Sequence, residues 1–211
     1  MNADPLAASY RWLEYAAFGR ALERCRFEFL QRAVAARRIL ILGEGDGRFL
    51  ARLVECNSNA QIVVVDSSAR MLDLARRRLP AGAHARVEFQ HLDALASPLP
   101  GGPFDLAVTH FFLDCFDGAA VAAIVAKVNA LLHPGALWLV GEFQAPARGW
   151  RRLHAQLWLS TMYQFFGITT GLRTSRLPDY RGVLAVSGFA ELERRERRSG
   201  LIVSQLWRKE A

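Results

Sequence analysis

The chain has 211 residues, 52% of them hydrophobic, and a formal net charge of +7. This length suits one domain with a sizeable core, and the absence of an apolar run of about 18 residues argues against a membrane span. Residues 1–5 lack the basic and apolar regions of a signal peptide, and Cys25, Cys56 and Cys115 show neither metal-ligand nor disulfide spacing. We therefore expect a cytoplasmic protein without a metal site.

The positive charge is spread over separate arginine runs, at positions 37–38, 76–78, 151–152 and 194–198. Such runs can mark a nucleic-acid or anionic-membrane partner, or they can be solvated ends of helices and strands. Their wide separation, with each run beside a predicted element end, favours the second interpretation. Nucleic acid is therefore an unexpected partner, and a peripheral membrane contact is left open.

Helical and strand patterns alternate along the first two thirds of the chain. Apolar residues recur at helical spacing over 6–36, where Gly19 is a candidate break. Strands are predicted at 39–42, 62–65, 87–90, 104–109 and 136–141, and helices at 48–57, 67–78 and 119–132. Ser67 and Ser68 are the candidate caps of the second of these helices. Continuous apolar strands that alternate with helices indicate a parallel sheet covered on both faces.

The last third has a different character. Residues 148–167 combine many aromatic and apolar side chains, a short helix is predicted near 180–186, and strands at 191–197 and 201–207 form a β-hairpin joined at Ser199-Gly200. We expect one domain over 1–211. It divides into an N-terminal helical cap (1–37), a core (38–143), and a helical lid with the hairpin (144–211).

The segment after the first strand is the most informative one. Gly43, Gly45 and Gly47 follow a buried apolar run, and Asp66 ends the next strand, 19 residues after Gly47. Glycines allow a ligand to approach the backbone closely, and an acid at the next strand end can accept hydrogen bonds from both ribose hydroxyls. The pair predicts a nucleoside-binding half-site, although a tight strand-to-helix turn without a ligand is the structural alternative.

The spacing of the glycines bears on the cofactor. A dinucleotide site has the pattern G-x-G-x-x-G, whereas this loop reads G-x-G-x-G and carries Glu44 and Asp46. Two acids would repel a pyrophosphate but suit a ligand with an ammonium and a sulfonium. S-adenosylmethionine is therefore favoured, and an NAD-dependent dehydrogenase is disfavoured.

Five segments in order resemble the motifs of class I S-adenosylmethionine-dependent methyltransferases. They are Gly43 to Gly47, Asp66, Asp93-Ala94, Phe104-Asp105-Leu106 and Leu132-His133-Pro134-Gly135-Ala136. The resemblance implies a Rossmann-like α/β fold with a seven-stranded sheet of order 3-2-1-4-5-7-6, in which strand 7 is antiparallel. With the aromatic insertion after strand 5, the motif order is similar to the branch that includes ubiquinone/menaquinone and phospholipid methyltransferases.

The resemblance also implies roles for the cofactor residues. The three glycines would pass under the methionine and ribose portion, and Asp66, with Ser67 beside it, would meet the ribose. Further contacts are expected at Met71, which would pack on the adenine or in the core, and at Asp93 with the backbone of Ala94. Many family members have an acid where this chain has Ile41, so Glu44 or a water would take its place at the ammonium, next to Asp46.

The residues after strand 4 are expected at the methyl-transfer site. His110 is the candidate general base and also a cofactor contact, and the alternative is a hydrogen bond to local backbone. Asp114 would orient His110 or bind a cationic substrate, or else only cap the helix near 119. Substrate contacts are predicted at Phe111, Phe112, Trp158 and Met162, with Tyr10 closing the other side.

These features predict methyl transfer to a small apolar or amphipathic acceptor by in-line displacement, with S-adenosylhomocysteine as the product. An RNA or protein methyltransferase and a non-catalytic cofactor-binding module that regulates a partner are the alternatives. A monomer or a homodimer is expected.

Overall fold

The computed structural model describes residues 19–144 and 177–210, so the aromatic segment 148–167 lies outside the described residues. The strands are Arg38–Leu42 (β1), Gln61–Asp66 (β2), Val87–His91 (β3), Phe104–His110 (β4), Leu132–Phe143 (β5), Phe189–Arg197 (β6) and Ile202–Lys209 (β7). The α-helices are Ala21–Phe27 (α1), Arg48–Cys56 (α2), Ala69–Arg78 (α3), Gly118–Leu131 (α4) and Tyr180–Val186 (α5). Short 3-10 helices span Leu30–Ala33, Ala81–Arg86, Leu113–Cys115 and Arg198–Gly200.

The strands form one sheet in the order β3-β2-β1-β4-β5-β7-β6. β1 to β5 pair in parallel, and β7 runs antiparallel to β5 and to β6. The α/β class and the strand order predicted from the motifs are therefore confirmed. Leu42 pairs with Val65 on one side and with Thr109 on the other, so the carboxyl ends of β1, β2 and β4 meet at one edge.

The two faces of the sheet bury separate clusters because side chains alternate along each strand. Ile39 and Ile41 of β1 lie in the cluster that α2 and α3 cover. Leu40 and Leu42 lie in the other cluster, with α4 and α5. Because helices cover both faces, the centres of β1, β2 and β4 are continuous apolar runs, as the sequence indicates.

The structure corrects the N-terminal prediction within the described residues. The expected continuous helix to residue 36 is instead a short α1 followed by a 3-10 turn, because Phe29 leaves the α-helical region at φ −110 and ψ 20. The Asn57 side-chain amide then donates to the carbonyls of Ala33 (2.9 Å) and Ala36 (2.8 Å) and holds the turn end against the loop after α2.

The start of β5 also differs from the prediction. His133-Pro134-Gly135 was expected to separate helix and strand, but it lies inside β5. A bulge accommodates it, since Phe104 pairs with Leu132 while Leu106 already pairs with Leu137. The terminal hairpin agrees with the prediction, although its strands are longer.

The expected division into cap, core and lid stays a prediction, since residues 1–18 and 145–176 lie outside the described residues. Among the helices that are described, none combines the length and apolar character needed to cross a membrane.

Candidate active site

The loop between β1 and α2 uses its three glycines in different ways. A Cβ on Gly43 would overlap the ring of Phe112, and a Cβ on Gly47 would lie 2.5 Å from Cα of Ala75 in α3. A Cβ on Gly45, where φ is +70, would meet nothing within 4 Å. Gly43 and Gly47 thus allow close packing within the protein, whereas Gly45 faces open space where a ligand can approach the backbone.

Asp66 lies beside this opening. Its Oδ2 accepts a hydrogen bond from the Gly45 amide (3.3 Å), and its Oδ1 accepts one from the Ser68 amide (2.9 Å). The carboxyl group remains only partly buried. It is therefore held at the mouth of the glycine loop, where it can accept further hydrogen bonds from a ligand's hydroxyl groups.

The other predicted residues near this strand end have mixed placements. Ser68, not Ser67, caps α3 by accepting from the Met71 amide at 3.1 Å. Ser67 is exposed and its carbonyl lies 3.0 Å from Nε2 of His91. Met71 is buried, with 4% of its surface exposed. Its predicted contact with adenine stays a prediction.

The two acids of the loop bond to the protein itself. Glu44 Oε1 accepts from the Leu50 amide at 2.9 Å, so Glu44 caps the first turn of α2. Burial raises the pKa of Glu44 to about 8; the Leu50 bond and Arg26 oppose this shift, and Asp46 and Asp66 add to it. Whether Glu44 also meets the ligand's ammonium stays a prediction.

Asp46 bridges two arginines. Its Oδ1 accepts from Nε of Arg48 at 2.9 Å and its Oδ2 from Arg78 at 3.0 Å, while Nε of Arg78 donates to the Asp46 carbonyl at 2.9 Å. The negative charge of Asp46 is therefore largely compensated. The repulsion of a pyrophosphate, on which the sequence argument against NAD partly rested, is weaker than the sequence suggests.

Asp93 shapes a turn at the end of β3. Its Oδ1 accepts from the Leu95 (2.8 Å) and Ala96 (3.2 Å) amides. From α4, Lys127 donates to the carbonyls of Ala94 (3.1 Å), Leu95 (2.5 Å) and Ser97 (3.0 Å). The turn is thus anchored at the same edge of the sheet as the glycine loop.

His110 ends β4 and is partly buried. Its ring meets Phe49 edge to face at 4.7 Å, and Gly141 leaves space for it, since a Cβ there would lie 2.9 Å from its Cδ2. Burial lowers the pKa of His110 to about 3, and the nearby positive charge of Arg26 contributes. The imidazole is therefore neutral at ordinary pH.

An aromatic wall follows His110. Phe111 has a left-handed backbone (φ 55), and its amide donates to the Gly141 carbonyl at 2.6 Å. The Phe111 ring lies 5.0 Å from that of Phe143 and 5.1 Å from the guanidinium carbon of Arg26. The Phe112 ring packs on Gly43 and meets Phe116 at 5.1 Å.

Asp114 lies deeper than its predicted role suggests. It is 4% exposed and forms a buried carboxyl pair with Glu142 of β5. Burial raises the pKa of Asp114 to about 6 and that of Glu142 well above its usual value, where the charge of Asp114 adds to the effect. The alternative capping role belongs to Asp117, whose Oδ1 accepts from the Ala120 amide of α4 at 2.9 Å.

The structure brings together the glycine loop, Asp66, the Asp93 turn, His110 and the aromatic wall at one edge of the sheet. Tyr10, Trp158 and Met162 lie outside the described residues. Within residues 19–144 and 177–210, no group of three or more His, Cys, Asp or Glu side chains is arranged to hold a metal ion.

Sequence reasoning missed Glu142 and Arg26, both buried beside this site. The available signal for Glu142 was a single acid within the apolar run at the end of β5. Arg26 lies among similar arginines in a helical pattern, so nothing in the sequence distinguishes it.

The site fits S-adenosylmethionine by geometry. The open face of Gly45 and the carboxylate of Asp66 would hold the methionine and ribose portion, and the anchored turn at Asp93 and Ala94 would lie next to the adenine. When bound, the cofactor supplies a methyl group on a positively charged sulfur. His110 and the aromatic wall lie at the carboxyl end of β4, where an acceptor would meet that methyl group.

Comparison with known proteins agrees with this assignment. Residues 39–135 match a family model described as a methyltransferase domain. The demethylmenaquinone methyltransferase of Thermus thermophilus is 32% identical over 147 residues, which cover 70% of this chain and 64% of that protein. The chain spans between 44% and 64% of the length of the first curated relatives it matches.

Solved structures share the fold at low identity. The N-methyltransferase NodS from Bradyrhizobium japonicum, solved with S-adenosylhomocysteine, has a TM-score of 0.63 at 17% identity and covers 90% of this chain and 89% of its own. The cyclase SpnF has a TM-score of 0.67 at 19% identity, covering 92% of this chain and 83% of its own.

The matched domain, the sheet order and the ordered motifs agree, and they confirm S-adenosylmethionine as the cofactor that the glycine loop predicts. Residues 39–135 match the methyltransferase domain, and together with the fold and the relatives they support a class I S-adenosylmethionine-dependent methyltransferase.

Proposed function

We propose that this protein transfers a methyl group from S-adenosylmethionine to a small apolar or amphipathic acceptor. The observation that carries the proposal is the packing of the Phe112 ring on Gly43. This contact sets an aromatic wall directly against the cofactor loop, so an acceptor that lies on the wall is within reach of the methyl group. Methyl transfer needs the nucleophile, methyl and sulfur in line and water excluded.

The wall favours an apolar acceptor. The rings of Phe111 and Phe143 form one contacting pair, and those of Phe112 and Phe116 form another. Pockets for small ligands are mostly apolar with a few placed polar groups. The Thermus relative is named a demethylmenaquinone methyltransferase, which supports a quinone-like or phenolic ring as the acceptor.

His110 supplies the placed polar group. Because its imidazole is neutral, the ring nitrogen without hydrogen can accept a hydrogen bond from an acceptor hydroxyl and orient it. An imidazole with a pKa of about 3 binds a proton weakly, so a proton taken at this nitrogen passes on to solvent. His110 therefore acts as an orienting acceptor and a transient base.

The described arginine runs favour a small acceptor over RNA. Arg78 binds Asp46, while Arg194 pairs with Glu196 at 2.8 Å and Arg197 binds Glu28. Arginines that are neutralised within the protein offer less charge to phosphates. RNA binding that disappears at moderate salt would mark the remaining charge as nonspecific.

The experiment is direct detection of transfer. The full chain is incubated with methyl-labelled S-adenosylmethionine and a panel of quinols, phenols and lipid amines, and label in the products is identified by mass spectrometry. We expect at least one labelled acceptor and a large loss of turnover in His110→Ala. Asp73→Asn, at an exposed pair with Arg76, is the matched control. Cofactor binding without label in any acceptor would instead favour the non-catalytic alternative or another reaction on this fold.

A further inference from the structure

Glu142 makes an unusual set of contacts for a residue of a central strand. It is fully buried near the end of β5. Its Oε1 accepts from the amides of Phe112 (3.2 Å) and Leu113 (2.8 Å), and its Oε2 accepts from the amide of Asp114 (3.3 Å). Three successive amides directed at one carboxyl group form an anion-binding concavity that the protein fills with its own side chain.

The segment that Glu142 holds begins with Phe111 and Phe112, which belong to no helix or strand. Phe111 has a left-handed backbone, which costs a residue with a side chain about 1 kcal/mol or more. The 3-10 turn that follows has no side-chain cap from its preceding residue, Phe112. Glu142, 28 to 30 residues further along the chain, satisfies these amides instead.

The position of this segment matters for the proposed site. The Phe112 ring packs on Gly43, so a shift of the backbone at 112 would move the ring away from the cofactor loop or into it. Phe111 and His110 precede it without a break. Glu142 is thus the link between the carboxyl end of β5 and the wall against which cofactor and acceptor are placed.

We propose that Glu142 is the positioning residue of the methyl-transfer site, which holds the backbone of residues 112–114 so that the Phe112 ring closes against Gly43. The role of this wall in methyl transfer rests on the proposed function, but the anchoring itself does not. Asp114, predicted from sequence as catalytic, is its buried partner in this proposal.

Asp114 and Glu142 can both be buried at one site if they share a proton. Two adjacent carboxyl groups in a dry environment retain a proton between them, since both cannot ionise together. The raised pKa values of Asp114 and Glu142 agree with this arrangement. Burial raises the pKa of Tyr180 of α5 and of Cys115, and the charges of the two acids add to both shifts.

The test compares Glu142→Gln with Glu142→Leu. Glutamine keeps an oxygen for the Phe112 and Leu113 amides and its NH2 can donate to the Asp114 carboxyl group, so only the Asp114 backbone amide loses its acceptor. Leucine, of similar size, accepts nothing. Amide hydrogen exchange of the peptide covering 111–116 is measured together with the Kd for S-adenosylhomocysteine. We expect protection and affinity to fall about tenfold or more in E142L and to stay within about threefold of the parent in E142Q.

Phe112→Ala separates the anchor from the wall. It should weaken S-adenosylhomocysteine binding while the amides of 113 and 114 keep their protection. If methyl-acceptor activity is found, E142L should lower kcat more than it raises KM, and E142Q should restore most of it. Loss of activity in E142Q with protection retained would instead show that the carboxyl group itself takes part in the reaction, against a purely positioning role.

Two results would overturn the proposal. One is E142L with protection and S-adenosylhomocysteine affinity within about twofold of the parent. The other, which needs no variant to fold, is rapid exchange of the 112–114 amides in the parent protein, at the rate of the exposed residues near 101. Failure to find an acceptor would count against the proposed function but would leave the exchange result to decide this inference.

Discussion

The ring of Phe112 occupies the space that a side chain at Gly43 would need. Gly43 directly follows β1 and Phe112 lies two residues after β4, and these strands are neighbours in the sheet. The packing of Phe112 therefore requires a glycine at position 43, whereas Gly45 faces open space where a ligand can approach. This difference makes the glycines separable by experiment.

Replacing the glycines with alanine should give two kinds of defect. Gly43→Ala, which forces overlap with Phe112 at a φ of +68, should lower the free energy of unfolding by about 1–3 kcal/mol or more. Gly45→Ala, where the added methyl group meets no protein atom, should cost about 1 kcal/mol of backbone strain but weaken S-adenosylhomocysteine binding more strongly. Denaturant unfolding measures the loss of stability, and calorimetric titration measures the loss of S-adenosylhomocysteine affinity. If the two variants lost the same affinity and had the same free energy of unfolding, the two glycines would not have separate roles.

Asp66→Asn should weaken cofactor binding. Hydrogen bonds to a charged group are worth about 1.5–3 kcal/mol, so loss of the carboxylate should raise the Kd for S-adenosylhomocysteine about 10- to 100-fold. The side-chain oxygen that remains can still accept one of the two bonds that now come from Gly45 and Ser68. Asp73→Asn serves as the control because its pair with Arg76 is exposed. An unchanged Kd in D66N would remove Asp66 from the cofactor site.

The neutral state of His110 can be tested by nuclear magnetic resonance. Its folded-state pKa of about 3 lies below the ordinary value of 6.5, so the unfolded chain binds more protons between these limits. Its contribution to stability is present above pH 6.5 and is lost as pH falls toward 3. We expect its imidazole resonances not to titrate between pH 5 and 8. A His110 midpoint near the ordinary value of 6.5 would contradict its burial beside Arg26.

Glu44→Gln should change how stability depends on pH. The pKa of Glu44 rises from 4.5 to about 8 on folding, so its contribution is complete below pH 4.5 and is lost as pH rises through about 8. E44Q keeps an acceptor for the Leu50 amide and cannot ionise. We expect the Tm of E44Q relative to the parent to increase between pH 5 and 9. A constant difference over this range would mean that Glu44 is solvated in the folded protein.

The cofactor half of the site could be predicted because its signals are local. Glycines at alternate positions, an acid at the next strand end and the Asp93 turn each lie within a short segment, and parallel strands bring their carboxyl ends to one edge. The ion pair of Asp46 with Arg78 could not be predicted in this way. Arg78 is 32 residues away, and only the packing of α3 on the loop brings them together.

By itself, the sequence determined the class of the fold through apolar periodicity and the cofactor through the glycine loop and Asp66, since these signals depend on neighbouring residues. The order of the strands followed from the family resemblance that the ordered motifs carry. Only the tertiary structure decided that Asp114 turns inward to Glu142, that His110 is neutral beside Arg26, and that Phe112 closes on Gly43. These outcomes depend on which groups from distant segments exclude water from one another. Burial and pairing of this kind have no counterpart in the spacing of residues along the chain.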